Sequence, residues 1–458
     1  MKNAKSVSPY LLVLLSFAGV IILGALLLCM PFSRQAGNWG SFIDALFTAT
    51  SATCVTGLCT YAGGIGQELS LFGQILVLLM IQVGGLGFIT ILTFIISLFV
   101  KKLQFKDRLF LSQAINSNSI SQVGVFASRV VAIVAVSETL GFLLGLPVFL
   151  NVKGLSVGDA IWNSIFMSIS AFNNAGFDLM GSTSLMRGVE NIIIDNMPLW
   201  AYYYMQTYLM FLIILGGISF LTIIDVLILR KRPNQWSAFV KITLITSGIL
   251  LVVGFLAFVF TDVLAGRITV FEAIFQSVTC RTAGFSTFDQ DKLSFAGKTV
   301  SCILMFVGGS PISTAGGIKT TTLFMLVLCL IKFLQGKRIT AFNREYSRIS
   351  ILKALTLVFL SIFTIVIAFI LVNTFERITP DPLDNTDNIF FEVFSSFGTV
   401  GLSTGITPTL TIGSKIVLCV VMFFGRLGPI TLFQIFQSNM DKEENTHYEL
   451  VETDLVVG

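Results

Sequence analysis

The chain has 458 residues, of which 54% are hydrophobic and 12% are charged, and its formal net charge is +4. The charged share is about half that of soluble domains, which excludes an ordinary soluble enzyme or binding domain. Apolar runs near the ~20 residues that cross a bilayer recur along the chain and predict an all-α, polytopic membrane protein. The seven cysteines are odd in number and lie mostly within apolar runs, so neither disulfides nor a zinc site is indicated.

Eight apolar runs are predicted to cross the membrane, and several exceed a minimal span, as in helices that are tilted, broken or extended into water. In chain order they cover 10–31, 72–100, 125–151, 199–229, 241–265, 297–333, 352–373 and 413–437. The first run follows Lys2 and Lys5, but it is too long for the apolar core of a signal peptide and lacks a small-residue cleavage site. We therefore expect a retained helix.

The runs fall into pairs, and between the members of a pair lies an apolar stretch too short to span. In the first pair this stretch is Phe42 to Ala52. Each repeat is thus predicted to contain a helix, a short re-entrant helix, a glycine-containing loop and a second helix, with the loop facing water or protein rather than lipid. The expected boundaries are 1–105, 120–232, 238–335 and 350–438, followed by a C-terminal tail over 439–458.

One phrase occurs four times: a helix-like run, small residues, glycine, then leucine or phenylalanine. The glycines are Gly57, Gly176, Gly284 and Gly401, at successive separations of 119, 108 and 117 residues. A single copy is typical of a helix-packing face or a kink, but a fixed period indicates one structural unit used four times. Arranged pseudo-fourfold around one axis, four such loops can build a cation filter from backbone carbonyls, towards which the negative helix ends point.

The distribution of lysine and arginine predicts the orientation. Seventeen of them fall in the termini and the inter-repeat segments, against eight in the segments that join helices within a repeat. Because positive charge accumulates on the cytoplasmic side, both termini are expected there, and the glycine loops are expected to open outward.

The residues around the four glycines resemble the pore loops of the Trk/Ktr/HKT potassium transporter superfamily. The matching segments are Val55–Leu58, Asn173–Phe177, Arg281–Phe285 and Gly398–Leu402. The glycine-rich run Gly308–Thr320 resembles the intramembrane loop in the third repeat of that family. The resemblance covers about residues 10–437 and is strongest to the bacterial Ktr-type membrane subunit.

This resemblance implies potassium uptake through a channel-like pore, a homodimer in the bacterial cytoplasmic membrane, and gating by a cytosolic RCK-type nucleotide-binding ring. It implies K⁺ as the transported ion, no covalently bound cofactor, no nucleic-acid partner, and nucleotide only on the regulatory partner. In the family, glycine in all four loops goes with potassium preference, whereas serine in the first goes with sodium permeability. Gly57 therefore predicts potassium.

The resemblance also implies which backbone carbonyls contact the ion. They belong to the two residues that precede each glycine, and the four glycines complete the set. The predicted filter residues are Val55, Thr56, Gly57, Asn174, Ala175, Gly176, Thr282, Ala283, Gly284, Thr399, Val400 and Gly401. Cys54 departs from the aliphatic residue expected there, and its side chain is expected to point behind the filter.

The second helix of the third repeat is unusually rich in glycine and proline, which disfavour helix. An irregular segment at membrane depth is tolerated where it lines a cavity, so we expect a gate beneath the filter, or alternatively a kink that improves packing. Arg426 is expected to hydrogen-bond this loop and help to hold it shut, or else to anchor it without gating, and Lys319 to snorkel to the cytoplasm. The predicted gate residues are Gly308, Gly309, Ser310, Pro311, Ser313, Thr314, Ala315, Gly316, Gly317, Lys319 and Arg426.

Charges within apolar runs are costly and need partners. Arg281 adjoins a filter segment and is expected to brace it from behind, against Glu272, Glu392 or Asp44. Asp225 is expected to pair with Arg230, and Glu138 is the one deep candidate for ion coupling. A sodium- or proton-coupled cation symporter therefore remains the alternative to a pore. No enzyme signature is present, so the protein is not expected to be an enzyme.

Overall fold

The computed structural model describes residues 9–87, 90, 123–180, 198–228, 232–378 and 386–428. Within these ranges the regular secondary structure is helical apart from one two-stranded antiparallel ribbon, β1 (Thr340–Ala341) and β2 (Arg344–Glu345). The α-helices are α1 (Pro9–Cys29), α2 (Phe42–Cys54), α3 (Gly64–Glu68), α4 (Leu71–Leu86), α5 (Val123–Leu150), α6 (Val157–Phe172), α7 (Leu199–Gly217), α8 (Phe220–Ile223), α9 (Ala238–Phe258), α10 (Val270–Thr279), α11 (Phe295–Phe306), α12 (Thr320–Leu334), α13 (Arg348–Arg377), α14 (Thr386–Gly398) and α15 (Ile412–Leu427). Two π-helical turns, Ile224–Ile228 and Val259–Val263, extend α8 and α9.

Four times in the described chain, a helix is followed by a shorter helix, a loop and a third helix that is longer than the second. We refer to these sets as units one to four: α1, α2 and α4; α5, α6 and α7; α9, α10 and α11; α13, α14 and α15. The run expected over 297–333 is divided, because α11 ends at Phe306 and α12 begins only at Thr320. Most of the predicted helix beyond Leu86, the end of the last predicted helix and the tail over 439–458 lie outside the described residues.

Four of the described helices are long and apolar enough to cross a membrane, namely Gly124–Leu150, Leu199–Gly217, Ala238–Val263 and Arg348–Arg377. Four more are apolar but shorter, namely Val13–Cys29, Leu71–Leu86, Phe295–Phe306 and Thr320–Leu334. Several apolar helices of this kind are what a multi-pass membrane protein requires.

Three of the four short helices of the units begin at hydroxyl caps. The side chains of Ser41, Ser156 and Thr269 accept hydrogen bonds from backbone N–H groups three residues further on, at 3.4, 3.1 and 3.3 Å. An acidic residue occupies the first turn in all four short helices, where it interacts favourably with the positive end of the helix dipole. The negative ends therefore lie at the glycine loops.

The phenylalanine that opens each recurring phrase is fully buried: Phe47, Phe166, Phe275 and Phe391. Each of them packs in a hydrophobic cluster with residues of the preceding unit. Phe166 packs with residues of unit one, Phe275 with unit two, Phe391 with unit three, and Phe47 with unit four. The four clusters therefore join the units into a closed ring, in which the first unit contacts the last.

Candidate functional site

The four short helices end in the same backbone conformation. The residue after the helical part, at Val55, Asn174, Thr282 and Thr399, is left-handed, with φ between 50° and 70°. The next N–H bonds back into the helix, as in the 2.8 Å bond from Thr56 to the Ser51 carbonyl and the 2.9 Å bond from Val400 to the Ser395 carbonyl. This capping turn satisfies helix carbonyls and directs the chain into the glycine.

The four glycines meet at one place and close a ring. A Cβ added to Gly57 would lie 2.5 Å from the Ala175 carbonyl oxygen, and one added to Gly176 would lie 2.7 Å from that of Ala283. In the same way Gly284 abuts the Val400 carbonyl, and Gly401 abuts that of Thr56.

All four glycines also have positive φ, between 70° and 102°. Both the backbone angle and the lack of space therefore require glycine at these positions. The sequence alone indicates the glycines, and the structure brings all twelve predicted filter residues to this ring or next to it.

A hydroxyl from each short helix supports its loop. Ser51 and Ser395 accept hydrogen bonds from the N–H groups of Gly57 and Gly401, at 3.0 and 3.1 Å. Ser170 donates to the Phe177 carbonyl at 2.7 Å, and Thr279 donates to that of Phe285 at 2.6 Å. This supporting role is not predicted above, although its signal in the sequence is a hydroxyl residue five or six positions before each glycine.

A cavity of about 400 Å³ lies against the ring, and all four glycines line it. Its wall also carries polar groups from Tyr61, Asp178, Ser286 and Ser403. In the loops, the hydroxyls of Thr56, Thr282 and Thr399 are buried and have no hydrogen-bond partner within the described residues. Backbone carbonyl oxygens that converge on one place can replace the hydration shell of a cation.

The segment between α11 and α12 is an irregular loop held by backbone hydrogen bonds at both ends. The N–H of Gly308 donates to the Ile318 carbonyl at 2.9 Å, which closes the base of the loop. Further along, the N–H groups of Ser310 and Thr314 donate to Gly217 and Gly216, at 3.0 and 3.2 Å. The loop therefore lies against the C-terminal end of α7, with its polar backbone paired to protein.

The loop contacts the residues of the ring directly. A Cβ added to Gly308 would lie 3.2 Å from the Cγ2 of Thr282, and one added to Gly316 would overlap the Thr399 side chain. These two glycines permit the close approach of the loop to the third and fourth glycine loops.

Two cations bind the loop carbonyls. The Arg426 guanidinium donates to the carbonyl of Thr314 in the loop and to that of Gly84 at the end of α4, so the expected hydrogen bond is present. Lys319 was expected to snorkel to the cytoplasm, and this is wrong. Its ammonium turns back to the carbonyls of Ala315 and Gly316, at 2.7 and 3.3 Å, because the irregular loop offers acceptors that a helix would have used.

Arg281 lies behind the third glycine loop, but not against a carboxylate. Its guanidinium donates to the backbone carbonyl and the hydroxyl of Ser247 in α9, at 3.3 and 3.2 Å. The three carboxylates considered for it have other partners: Glu272 accepts from Thr269, Glu392 from Thr407, and Asp44 from Lys415. The expectation of a carboxylate partner is therefore wrong. Cys54 is fully buried in a hydrophobic cluster.

The remaining carboxylates near apolar runs have defined places. Asp159 accepts a hydrogen bond from the Ser156 hydroxyl at 2.7 Å. Glu138 accepts from Gln82 and Asn173, at 3.2 and 2.9 Å. Arg230, the expected partner of Asp225, lies outside the described residues.

Two lysines link consecutive units at the starts of their helices. Lys415 of α15 pairs with Asp44 of α2 at 2.9 Å, which joins the fourth unit to the first. Lys298 of α11 pairs with Asp387 of α14 at 3.0 Å and with Asp291 at 2.8 Å. The hydrogen bond from Lys298 lowers the pKa of the Asp291 carboxyl, which lies between helices.

Comparison with known proteins places the chain among cation transporters. Residues 27–448 match the family model TrkH, described as a cation transport protein. The chain is 35% identical to the potassium/sodium uptake protein NtpJ of Enterococcus hirae, over 99% of this chain and 98% of that protein. It is 33% identical to the Ktr system potassium uptake protein B of Bacillus subtilis, over 96% and 95% of the two chains.

Among solved structures, the potassium transporter TrkH from Vibrio parahaemolyticus matches with a TM-score of 0.69. The match covers 94% of this chain and 86% of that chain at 17% sequence identity, so it supports the fold.

Proposed function

The chain belongs to the TrkH family of cation transport proteins, and we propose that it takes up potassium across the bacterial cytoplasmic membrane through a channel-like pore. The observation that carries the proposal is the closed ring of four glycines, each next to the carbonyl of the neighbouring loop. Relatives that match over nearly their whole length are named potassium uptake proteins, which supports potassium as the ion. The protein acts as a transporter and not as an enzyme.

The proposed filter is the set of twelve residues at the ring, with K⁺ as the transported substrate. Four short helices end there, and each contributes about half a negative charge at its C-terminal end. Carbonyls replace the hydration shell of the ion, while the hydroxyls of Ser51, Ser170, Thr279 and Ser395 hold the loops that carry them. Because the backbone geometry fixes the carbonyl oxygens that coordinate the ion, the filter needs no charged side chain in the ion path.

The proposed architecture is eight membrane-crossing helices in four repeats around this pore, with both termini cytoplasmic and the filter loops opening outward. The four units with their buried inter-unit clusters support the fourfold arrangement. The excess of lysine and arginine in the termini and inter-repeat segments supports the orientation.

The proposed gate is the loop from Gly308 to Lys319, closed by Arg426. The loop contacts the side chains of Thr282 and Thr399, next to the ring, and the proposed position of the gate is on the path of an ion that leaves the filter. Arg426 ties it to α4 and places a cation next to that path, which opposes the passage of K⁺. Release of this loop is the proposed opening step.

The proposed partners are a second copy of this chain in the membrane and a cytosolic nucleotide-binding ring that controls the gate. Relatives named as components of a Ktr system support a regulatory partner. Nucleotide is expected on that partner only.

A sodium-coupled carrier is the second candidate, because one relative is named a potassium/sodium uptake protein. The two functions are separated by rubidium-tracer uptake into potassium-loaded liposomes that contain this chain, with sodium, lithium and pH gradients varied one at a time. A pore predicts uptake that external potassium blocks, that sodium does not, and that is indifferent to the sodium and pH gradients. Uptake that requires a sodium or proton gradient would replace the pore with the carrier.

A further inference from the structure

A polar network lies behind the second glycine loop and is not part of the ring itself. Asn173, three residues before Gly176, is fully buried, and its side-chain amide donates to Glu138 at 2.9 Å and to Gln82 at 3.1 Å. Gln82 in turn donates to the other carboxylate oxygen of Glu138, at 3.2 Å. Three side chains from α4, α5 and the end of α6 thus form a closed triangle.

The network fixes the orientation of Asn173. The Glu138 backbone is also held, because its carbonyl accepts a 2.6 Å hydrogen bond from Ser168 of α6. Gly85 packs so closely on the Asn173 side chain that a Cβ there would overlap it, which prevents the amide from swinging away. The residue that follows Asn173 is Asn174, whose left-handed backbone turns the chain into the ring.

In the third loop, the residue at the position of Asn173 also hydrogen-bonds the first helix of its own unit, but through a different side chain. Arg281, three residues before Gly284, reaches Ser247 on α9, the first long helix of its own unit. Asn173 likewise reaches Glu138 on α5, the first long helix of its own unit. The sequence separations are 34 and 35 residues. The corresponding positions of the other two loops hold Cys54 and Gly398, so polar side chains at this position occur in the second and third loops.

We infer that Glu138 is a positioning residue for the second filter loop and that it helps to set ion selectivity, an inference that rests on the proposed function. A carboxyl group within an apolar helix is costly to insert, and such residues are usually retained for function. Both of its oxygens accept amide hydrogen bonds here, so its role is to hold Asn173. Through Asn173 it fixes the direction of the carbonyls of Asn174 and Ala175, on whose geometry discrimination between K⁺ and Na⁺ depends.

The test measures the K⁺/Na⁺ selectivity ratio of the full-length protein in liposomes, by competition of each ion against rubidium-tracer uptake. Glu138→Leu removes both acceptors and should lower the ratio by about fivefold to tenfold, the factor that a net hydrogen bond of ordinary strength is worth. Glu138→Gln keeps one acceptor for Asn173 and should retain most of the selectivity. Asn173→Ala removes the network from the other side and should reproduce the leucine variant.

Glu376→Gln is the matched control, because Glu376 is a buried carboxylate on α13 that accepts hydrogen bonds from Thr411, at 2.9 and 2.8 Å. It should leave the selectivity ratio unchanged. A wild-type ratio in both Glu138→Leu and Asn173→Ala overturns the inference. If either variant fails to insert, the other decides, and if both fail, Gln82→Leu is measured in their place.

Glu138→Gln also separates positioning from ion coupling. A coupling carboxylate would lose its titration in this variant, so that a pH- or sodium-gradient dependence present in wild type would disappear, which would overturn the inference. Wild-type protein that does not prefer K⁺ would instead refute the proposed function, a result distinct from any result of the variants.

Discussion

Replacing Arg426 with alanine should raise the basal flux of the protein in the absence of a regulatory partner. The guanidinium is the link between the proposed gate loop and α4, since it donates to the carbonyls of Thr314 and Gly84. A hydrogen bond from a charged group contributes about 1.5–3 kcal/mol. Of the carbonyls that Arg426 contacts, the one at Thr314 belongs to the loop. The alanine variant therefore destabilises the closed state by about the free energy of this one charged hydrogen bond. The ratio of open to closed protein then rises by about 10-fold to 150-fold.

The assay is rubidium-tracer flux into liposomes at matched protein density. Arg426→Lys keeps the charge but not the two-sided fork of donors, and it should give an intermediate flux. Arg377→Ala is the control, because Arg377 is an exposed arginine in the last turn of α13, and its flux should equal wild type. Unchanged or reduced flux in Arg426→Ala, at normal expression, would refute the reasoning that this contact holds the loop closed.

Three further predictions concern the filter and the ring of units. Gly57→Ser should admit sodium, because the added Cβ would lie 2.5 Å from the Ala175 carbonyl and displace the loop; sodium competition against rubidium uptake measures this, and unchanged selectivity would argue against the filter assignment. Ser395→Ala should lower the thermal stability of the purified protein by about 1 kcal/mol, since the N–H of Gly401 loses its acceptor, while Ser395→Thr should keep it; equal melting curves for all three would exclude the supporting role. Asp44→Lys and Lys415→Asp should each lower the melting temperature, and the double variant should recover it in part, because the pair joins the first and fourth units; additive losses would show that the pair does not couple them.

The sequence predicted the elements whose signal is local. The short helices, the four glycine turns and the interruption between α11 and α12 follow from apolar run length, glycine spacing and the density of glycine and proline. Arg426 was also predicted to bind the loop, because its register in the last long helix places it at the depth of the corresponding interruption in the third unit.

The contacts of the other buried charges could not be predicted in this way. Lys319 binds a carbonyl of its own loop, and this acceptor is free only because the loop is not helical, so that its carbonyls are not used by a helix. Arg281 donates to Ser247, 34 residues away, rather than to a carboxylate, because α9 packs behind the third loop, and this packing cannot be read from the sequence. The pair of Asp44 and Lys415 spans 371 residues, and only closure of the ring brings the two together.

The proposed transport of potassium depends above all on the ring of four glycine loops acting as the ion filter. The most direct test is anomalous diffraction from crystals of the protein grown in rubidium in place of potassium. A filter at this ring predicts a rubidium peak on the axis between the carbonyls of Thr56, Ala175, Ala283 and Val400. Ordered rubidium elsewhere in the protein, with none at these carbonyls, would contradict it.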